Sequence, residues 1–307
     1  MKKIYVGPKK KTIENSYFFD DSVTLFQEEA TFEYWNPDNT FLEISIYNKG
    51  LQEIIGPAEV MAHNPDTVSK CIFPSGISLI CQNDLELLKN LNNKIYTREL
   101  FKNSIPMLEY ITIKGKEFDY CREKKYLSNF LVIQSPIGSG GSKTFLCHDN
   151  NYNQVVPALS PEENYSVSVY RHKNIPYNVH CIIASEQIEI FPPSIQLLEI
   201  SDKIEYIGSD YEIELSYKTK QKMILYSTNI CKKLQKMGYR GILGIDYIYV
   251  ENELYFIEIN PRFQGSSRQL DGLLISSDLP SIFDYNYRSF YDTDLPHTQN
   301  MIFSIYK

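Results

Sequence analysis

The stretch that decides the fold is residues 239–267, which read Tyr-Arg-Gly-Ile-Leu-Gly-Ile-Asp-Tyr-Ile-Tyr-Val-Glu-Asn-Glu-Leu-Tyr-Phe-Ile-Glu-Ile-Asn-Pro-Arg-Phe-Gln-Gly-Ser-Ser. Two runs rich in β-branched and aromatic residues, 242–250 and 254–259, flank a polar turn at 251–253. Such residues favour strands, and a short polar break between two of these runs is typical of a β-hairpin. The stretch therefore predicts two antiparallel strands.

Three oxygen-bearing side chains lie in this hairpin: Asp246 in the first strand, and Glu258 and Asn260 at the end of the second. Residues two apart in a strand share a face, so the hairpin can bring all three together. Two carboxylates among apolar residues repel each other and lose hydration unless a cation lies between them. A small, oxygen-only ligand set suits Mg²⁺ or Mn²⁺, and Arg262 adds a fixed positive charge beside it. The alternative, acids that keep a sheet edge soluble, does not explain the order Glu-x-Asn-Pro-Arg.

Composition narrows the class of protein. The 307 residues are 43% hydrophobic and 22% charged, enough for a full core in two or three subdomains. A net charge of −7 argues against nucleic acid as an obligate partner. No apolar run reaches the length of a membrane span or of a signal-peptide core. Six cysteines without Cys-x-x-Cys and five histidines without His-x-x-x-His argue against zinc and a disulfide framework, so we expect a cytoplasmic protein with reduced thiols and no membrane contact.

Local patterns predict further elements through caps, breakers and hydrophobic periodicity. They are a strand at 4–6, a small mixed α/β region at 40–80, a helix at 85–91 after Asp84, a second helix from Asn93 that ends before Pro106, a strand at 130–135, a strand-loop-strand unit at 154–170, and an amphipathic helix from Thr219 to Gly238.

A glycine-rich segment, Pro-Ile-Gly-Ser-Gly-Gly-Ser-Lys-Thr, occupies residues 136–144 between two predicted strands. Such a turn exposes backbone N–H groups that can hold phosphate oxygens. It is not a P-loop, because Ile137 and Ser142 stand where that motif requires glycine, and a dinucleotide fingerprint fails at Lys143. By itself the loop fits a plain flexible hairpin equally well. Together with the downstream hairpin it indicates a nucleotide lid.

The hairpin resembles the metal-binding hairpin of the ATP-grasp superfamily, which includes carboxylate-amine and carboxylate-thiol ligases such as biotin carboxylase and D-alanine:D-alanine ligase. The resemblance rests on Asp246, then Glu258 twelve positions later, Asn260, Arg262 and Gln264. It extends over roughly residues 93–267 and implies an α/β protein in which two α+β subdomains hold ATP between them. It also implies that the acids and the amide bind two Mg²⁺ ions, or Mn²⁺, with Glu258 bridging them.

The same resemblance implies an ATP site spread over the preceding segments. In this scheme residues 157–159 contact adenine from a hinge, and Glu163 or Asn164 binds the ribose. The simple alternatives are a surface lysine at position 94 and an ordinary loop in place of the hinge. The implied ATP-binding residues are Lys94, Gln134, Ser139, Gly140, Gly141, Ser142, Lys143, Thr144, Pro157, Ala158, Leu159, Glu163 and Asn164.

Position 134 departs from the family pattern. Most members carry lysine on the strand before the glycines, whereas this chain carries Gln134. Glutamine supplies an amide donor but no charge, and Lys143 is a candidate to replace it. The sequence alone therefore predicts that Gln134→Lys tightens ATP binding.

The implied domains are a short N-terminal α/β domain (1–92), a lid (93–160) and a large subdomain (161–307). The implied reaction activates a carboxylate as an acyl phosphate and joins it to an amine, with Glu258 and Arg262 as the catalytic residues. Small-molecule carboxylate and amine substrates are the expected partners; a peptide or a carrier-protein thiol as acceptor, and a homodimer, are left open. The alternatives are a carboxylase or phosphotransferase on the same scaffold and a non-catalytic ATP-binding regulatory protein.

Overall fold

The computed structural model describes residues 2–8, 28–32, 40–138, 141, 143–201, 204–291 and 295. These residues form three sheets. The first sheet is parallel, with strand order β2-β1-β3-β4. Its elements are β1 (Lys2–Pro8), β2 (Glu28–Phe32), α1 (Thr40–Glu53), β3 (Ala58–Ala62), α2 (Pro65–Val68) and β4 (Ile77–Ile80). The strand expected at 4–6 and the mixed α/β region are confirmed.

Two helices follow the first sheet: α3 (Leu85–Leu91) and α4 (Lys94–Phe101). Asp84 caps α3 by accepting a hydrogen bond from the Leu87 N–H at 2.9 Å. Asn93 caps α4 by accepting from the N–H groups of residues 95 and 96 at 3.0 and 3.1 Å. These side chains satisfy donors that a helix start leaves open, which is why both helices begin where the sequence predicts.

The second sheet, which we call the lid sheet, is antiparallel in the order β5-β8-β6-β7. Its core holds buried apolar side chains of alternating strand positions, such as Leu131, Ile133 and Val167. Its elements are β5 (Tyr110–Lys114), a 3₁₀ helix (Gly115–Glu117), α5 (Tyr120–Tyr126), β6 (Phe130–Gln134), β7 (Thr144–His148), α6 (Tyr152–Ala158) and β8 (Asn164–Val169).

The helix α6 corrects the strand predicted from residue 154. Val155 and Val156 favour a strand by local propensity, yet they lie in a short helix that packs Val155 into the lid core. Tertiary burial therefore overrides propensity here. In addition, β8 is a central strand of the lid sheet, so we propose that the lid ends between β8 and the next strand, at residues 170–174, and not at 160.

The third sheet, which we call the large sheet, has six antiparallel strands in the order β12-β11-β9-β13-β14, with β10 paired to β9. Helix α7 packs on one face, and α8 and α9 pack on the other together with Tyr5 and Met61 of the first sheet. The elements are β9 (Ile175–Ile183), β10 (Ile188–Ile190), β11 (Ser194–Ile200), β12 (Ile204–Asp210), α7 (Tyr217–Lys236), β13 (Gly241–Val250), β14 (Glu253–Asn260), α8 (Ser267–Ile275) and α9 (Ile282–Tyr291).

The predicted helix and hairpin in this part of the chain are confirmed. Helix α7 starts at Tyr217 behind its cap Ser216, and Gly238 ends it with a φ of +89°. Strands β13 and β14 join through Glu251 and Asn252, both with positive φ, as a tight hairpin turn requires. No helix among the described residues is both long enough and apolar enough to span a bilayer.

Candidate active site

The hairpin brings together the three predicted metal ligands. Asp246 lies directly opposite Glu258 in the β13–β14 register, and Gly244 lies opposite Asn260. The Asn260 Nδ2 donates a hydrogen bond to Asp246 Oδ2 at 3.0 Å. Asp246 and Asn260 are buried, so their oxygens are held in a fixed arrangement on one face of the large sheet.

Two further amides contact Asp246. Asn178 on β9 donates to Asp246 Oδ1 at 2.6 Å, and Gln196 on β11 donates to the same oxygen at 3.1 Å. Burial and the charge of Glu258 raise the pKa of Asp246 to about 7, although the three donated hydrogen bonds act in the opposite direction. Asn178 and Gln196 are not predicted from the sequence, because neither lies in the hairpin and only strand pairing brings them to it.

Cations surround the acids. Lys94 Nζ lies 3.1 Å from Glu258 Oε2, and both side chains are largely buried. Arg262 Nη2 donates to Asn260 Oδ1 at 3.2 Å. The structure thus places Lys94, the three candidate ligands and Arg262 in one cluster.

The donor set fits Mg²⁺. Two carboxylates and one amide oxygen on adjacent strands are hard oxygen ligands, which Mg²⁺ prefers. Within the described ranges there is no group of three or more His, Cys, Asp or Glu residues that could hold a metal ion alone. A metal ion at this hairpin therefore needs additional oxygens from water and from phosphates, which is the usual way in which Mg²⁺ is bound with nucleotides.

The glycine-rich loop lies between β6 and β7, where Gln134 pairs with Thr144. Gly141 has a φ of +86°, and a Cβ added to it would lie 1.7 Å from the Ile204 carbonyl oxygen. The loop therefore approaches β12 of the large sheet closely. Lys143 is exposed. The predicted contacts Ser139, Gly140 and Ser142 lie outside the described residues.

The predicted adenine contacts do not lie on a connection between the sheets. Pro157 and Ala158 are exposed on α6, and Leu159 packs into the lid core. The chain crosses from the lid sheet to the large sheet at residues 170–174. We therefore move the proposed hinge to 170–174 and withdraw residues 157–159 as candidate adenine contacts.

Glu163 and Asn164, the predicted ribose contacts, lie at the start of β8. Glu163 accepts hydrogen bonds from Ser135 Oγ at 2.6 Å and from the Tyr165 hydroxyl at 2.8 Å. This position is at the base of the glycine-rich loop, at the opposite end of β8 from the hinge. Glu163 therefore braces the loop through Ser135, and a contact with the ribose stays a prediction.

A cation that the sequence analysis did not single out lies between the two sheets. Arg98 on α4 is 4% exposed and donates from Nη1 to Ser166 Oγ at 3.0 Å and from Nη2 to Gln134 Oε1 at 2.8 Å. It lies four residues after Lys94 on the same helix face, which is the spacing that could have indicated it.

The first sheet also contacts the region of the candidate ligands. The His63 carbonyl, just after β3, accepts a hydrogen bond from the Phe263 N–H at 3.2 Å, and the His63 ring stacks on the Phe263 ring. Burial, with the charges of Arg262 and Arg268, lowers the pKa of His63 well below its usual value. A neutral imidazole and two guanidinium groups therefore border the cluster on this side.

Comparisons with known proteins show the family of the chain. A family model described as an ATP-grasp domain matches residues 91–266, more than half of the chain. A comparison with curated proteins found no significant match.

Among solved structures, the chain is similar in fold to N5-carboxyaminoimidazole synthetase from Staphylococcus aureus in complex with ADP, at 14% identity, a TM-score of 0.57, and coverage of 96% of this chain and 72% of that one. N5-carboxyaminoimidazole ribonucleotide synthetase from Thermus thermophilus is similar in fold at 12% identity and a TM-score of 0.61, with coverage of 97% of this chain and 74% of that one. The biotin carboxylase domain of Hydrogenobacter thermophilus 2-oxoglutarate carboxylase, in complex with MgADP, ADP and bicarbonate, is similar at 15% identity and a TM-score of 0.60. The match covers 94% of this chain and 69% of that one. At such identities these likenesses concern the fold alone, and the family model supplies the assignment: the chain belongs to the ATP-grasp family.

Proposed function

We propose that the protein is an ATP-dependent ligase that activates a carboxylate as an acyl phosphate and joins it to an amine. The observation that carries this proposal is the charge arrangement in the cleft. Glu258 on the hairpin pairs with Lys94 and interacts electrostatically with Arg98, and Arg262 donates to Asn260, which in turn contacts Asp246. Phosphoryl transfer needs this combination, because its catalysis is mostly positioning and charge neutralisation.

The phosphates of ATP would lie between the glycine-rich loop and the hairpin. Asp246, Glu258 and Asn260 would hold Mg²⁺, for which we propose two ions; when bound, Mg²⁺ neutralises phosphate charge and orients the phosphates. Lys94 is within reach of the same place, since its ammonium already lies 3.1 Å from Glu258. It would bind phosphate oxygens as a point charge.

The proposed reaction has two steps, phosphoryl transfer to the carboxylate and acyl transfer to the amine. A carboxylate oxygen attacks the γ-phosphorus, the bond to the β–γ bridging oxygen breaks, and ADP leaves. An amine nitrogen then attacks the acyl carbon, inorganic phosphate leaves, and the nitrogen loses a proton. Arg262 would grip the acyl phosphate and the oxyanion of the second step, because a planar guanidinium can donate two parallel hydrogen bonds.

The relatives of known structure support the carboxylate half of this proposal. One is a biotin carboxylase domain bound to MgADP and bicarbonate, an anion with a carboxylate-like group. The amine half rests on the family resemblance alone. We propose that small molecules supply both groups, and that the acceptor lies on the side of the cleft bordered by His63 and Arg262.

The test is ADP release from the purified protein with Mg²⁺-ATP and a panel of carboxylates, with hydroxylamine as a general amine acceptor. Hydroxylamine converts an acyl phosphate into a hydroxamate, which a colour reaction with Fe³⁺ detects. We expect that a carboxylate in the panel raises ADP release and yields an equal amount of hydroxamate. If ATP binds but no carboxylate stimulates ADP release, the result favours a non-catalytic ATP-binding regulatory protein.

A further inference from the structure

Arg98 is a buried cation whose hydrogen-bond partners are all neutral. Its guanidinium donates to the Ser166 hydroxyl and to the Gln134 amide oxygen. Its Nε has no partner in the described part of the chain, and no described carboxylate lies within ion-pair distance of it. Glu258 is the carboxylate that acts on this charge, from beyond ion-pair distance. A buried charge so weakly compensated is costly, and a bound anion would relieve that cost.

The contact with Arg98 fixes the orientation of the Gln134 side chain. A guanidinium can only donate hydrogen bonds, so the oxygen of the Gln134 amide must face Arg98. The NH₂ group then points away from Arg98. Within the described residues this Nε2 donates to no protein group, and Gln134 stands at the end of β6, where the chain enters the glycine-rich loop. The amide is therefore set to donate toward a ligand under that loop.

Arg98 itself is held on three sides by the lid sheet. Ser166 lies on β8 and Gln134 on β6, while the Tyr110 ring on β5 lies 5.2 Å from the guanidinium carbon. The helix that carries Arg98 also carries Lys94, whose ammonium faces β14 of the large sheet. One face of α4 thus supplies one cation to each side of the cleft.

We propose that Arg98 supplies the positive charge that most ATP-grasp proteins place on a lysine at position 134, and that Gln134, oriented by Arg98, donates its NH₂ group to a phosphate oxygen of ATP. The inference rests on the proposed function, because it requires that ATP binds in this cleft. Arg98 acts as a positioning residue for Gln134 and as a nearby charge.

This arrangement reverses the expectation drawn from the sequence for Gln134→Lys. A lysine at position 134 would bring a second cation to a guanidinium that now lies 2.8 Å from the glutamine oxygen. Like charges at that distance repel, more so in a buried site. The single substitution should therefore weaken ATP binding, whereas the exchange Arg98→Gln with Gln134→Lys restores one cation and one amide.

The experiment is calorimetric titration of Mg²⁺-ATP, and of adenosine, into five proteins: wild type, Arg98→Gln, Gln134→Lys, the double variant, and Lys102→Gln. Lys102 caps the same helix at its far end, is exposed, and pairs with Glu99, so its substitution removes an equal charge outside the cleft. Melting curves without nucleotide report folding. A merely structural role of Arg98 would weaken adenosine and ATP binding alike.

We expect Arg98→Gln and Gln134→Lys each to weaken ATP binding by about tenfold or more, the usual effect of losing a charged hydrogen bond, with adenosine affinity unchanged. The double variant should recover most of the loss, and Lys102→Gln should bind like wild type. Unchanged ATP affinity in Arg98→Gln, an equal loss in Lys102→Gln, or tighter ATP binding by Gln134→Lys overturns the inference. If Arg98→Gln does not fold, the change in ATP affinity of Gln134→Lys is the test: weaker binding supports the inference and tighter binding overturns it. If wild type itself does not bind ATP, the proposed function fails and this inference fails with it.

Discussion

At the scale of single residues, the ion pair between Lys94 and Glu258 changes what the sequence suggests about the hairpin. From the sequence, only the repulsion between Glu258 and Asp246 is visible, and its removal would be neutral or stabilising. The structure adds a largely buried lysine 3.1 Å from the Glu258 carboxylate. Removing one partner of such a pair leaves the other charge buried and unpaired, and this cost outweighs the relief of repulsion.

Glu258→Gln is therefore expected to lower the free energy of unfolding by about 1–3 kcal/mol, measured by urea denaturation without nucleotide. The double variant Lys94→Met/Glu258→Gln should recover part of that loss, because no unpaired ammonium is left behind. Glu253→Gln is the control. Glu253 lies at the other, more exposed end of the same strand, where its carboxylate is 2.6 Å from the Lys222 ammonium. Its substitution should lower the free energy of unfolding by less. A Glu258→Gln protein as stable as wild type would show that Lys94 does not depend on this carboxylate.

Arg262→Lys should separate ATP binding from transfer of the acyl group to the amine. An ammonium keeps the charge but cannot reproduce the two parallel donors of a guanidinium, so ATP affinity should stay within about threefold while hydroxamate formation falls about 100-fold or more. Arg240→Lys is the matched control, since Arg240 lies just before the same hairpin and donates to the backbone carbonyls of Gln235 in α7 and of Tyr239. Equal losses in the two variants would place Arg262 among residues that only support the fold.

At the scale of secondary-structure elements, Gly141 joins the glycine-rich segment to β12 by a close approach to Ile204. Gly141→Ala should weaken ATP binding, because the added methyl would lie 1.7 Å from the Ile204 oxygen and must displace the loop. Gly238→Ala is the control: Gly238 has a similar positive φ, but nothing lies within 4 Å of its Cβ position. It should cost only the left-handed strain, roughly 1–2 kcal/mol of stability, with unchanged ATP affinity. Equal ATP affinities in both variants would contradict this role of the loop.

The contact between α8 and the start of α9 makes stability depend on pH. Asp271 Oδ1 accepts hydrogen bonds from Ser281 Oγ at 2.6 Å and from the Ile282 N–H at 2.8 Å. Burial, with a smaller contribution from Asp284, nevertheless raises the pKa of Asp271 to about 6, while the hydrogen bonds and Arg268 lower it.

Because the folded pKa is raised, the folded state holds the proton more tightly than the unfolded state. This contribution to stability is fully present below the unfolded pKa of about 4 and is lost as the pH rises through about 6. Asp271→Asn cannot titrate, so its stability relative to wild type should increase from pH 4 to pH 6 and then level off. Urea denaturation of both proteins across this range measures the difference. A constant difference would show that Asp271 titrates alike in both states.

The sequence predicts those elements whose signals are local. The hairpin at 241–260 and helix α7 are confirmed because propensity, turn residues and periodicity agree there. Helix α6 is missed because burial of Val155 in the lid core overrides the strand propensity of its neighbours. The partners Asn178 of Asp246 and Arg98 of Gln134 are missed because 68 and 36 positions separate the residues of each pair. Such contacts depend on strand order, which no local pattern reports.

At the scale of the whole molecule, α4 contacts both the large sheet and the lid sheet. Lys94 and Arg98 tie this helix to β14 and to the lid sheet. Asn83, before α3, forms two hydrogen bonds of 2.7 Å with the Arg240 backbone at the entry to the hairpin. The β13–β14 hairpin is therefore braced by the segment that follows the first sheet as well as by α4.

We propose that the hairpin is the metal site for ATP-bound Mg²⁺. The most direct measurement is calorimetric titration of ATP into wild type, Glu258→Gln and Glu253→Gln, each with Mg²⁺ and with EDTA. The claim predicts that wild type and Glu253→Gln bind ATP at least about tenfold more tightly with Mg²⁺ than with EDTA, and that Glu258→Gln loses this dependence. Wild type that binds no ATP under either condition, or Glu258→Gln that keeps the full Mg²⁺ dependence, would contradict the claim.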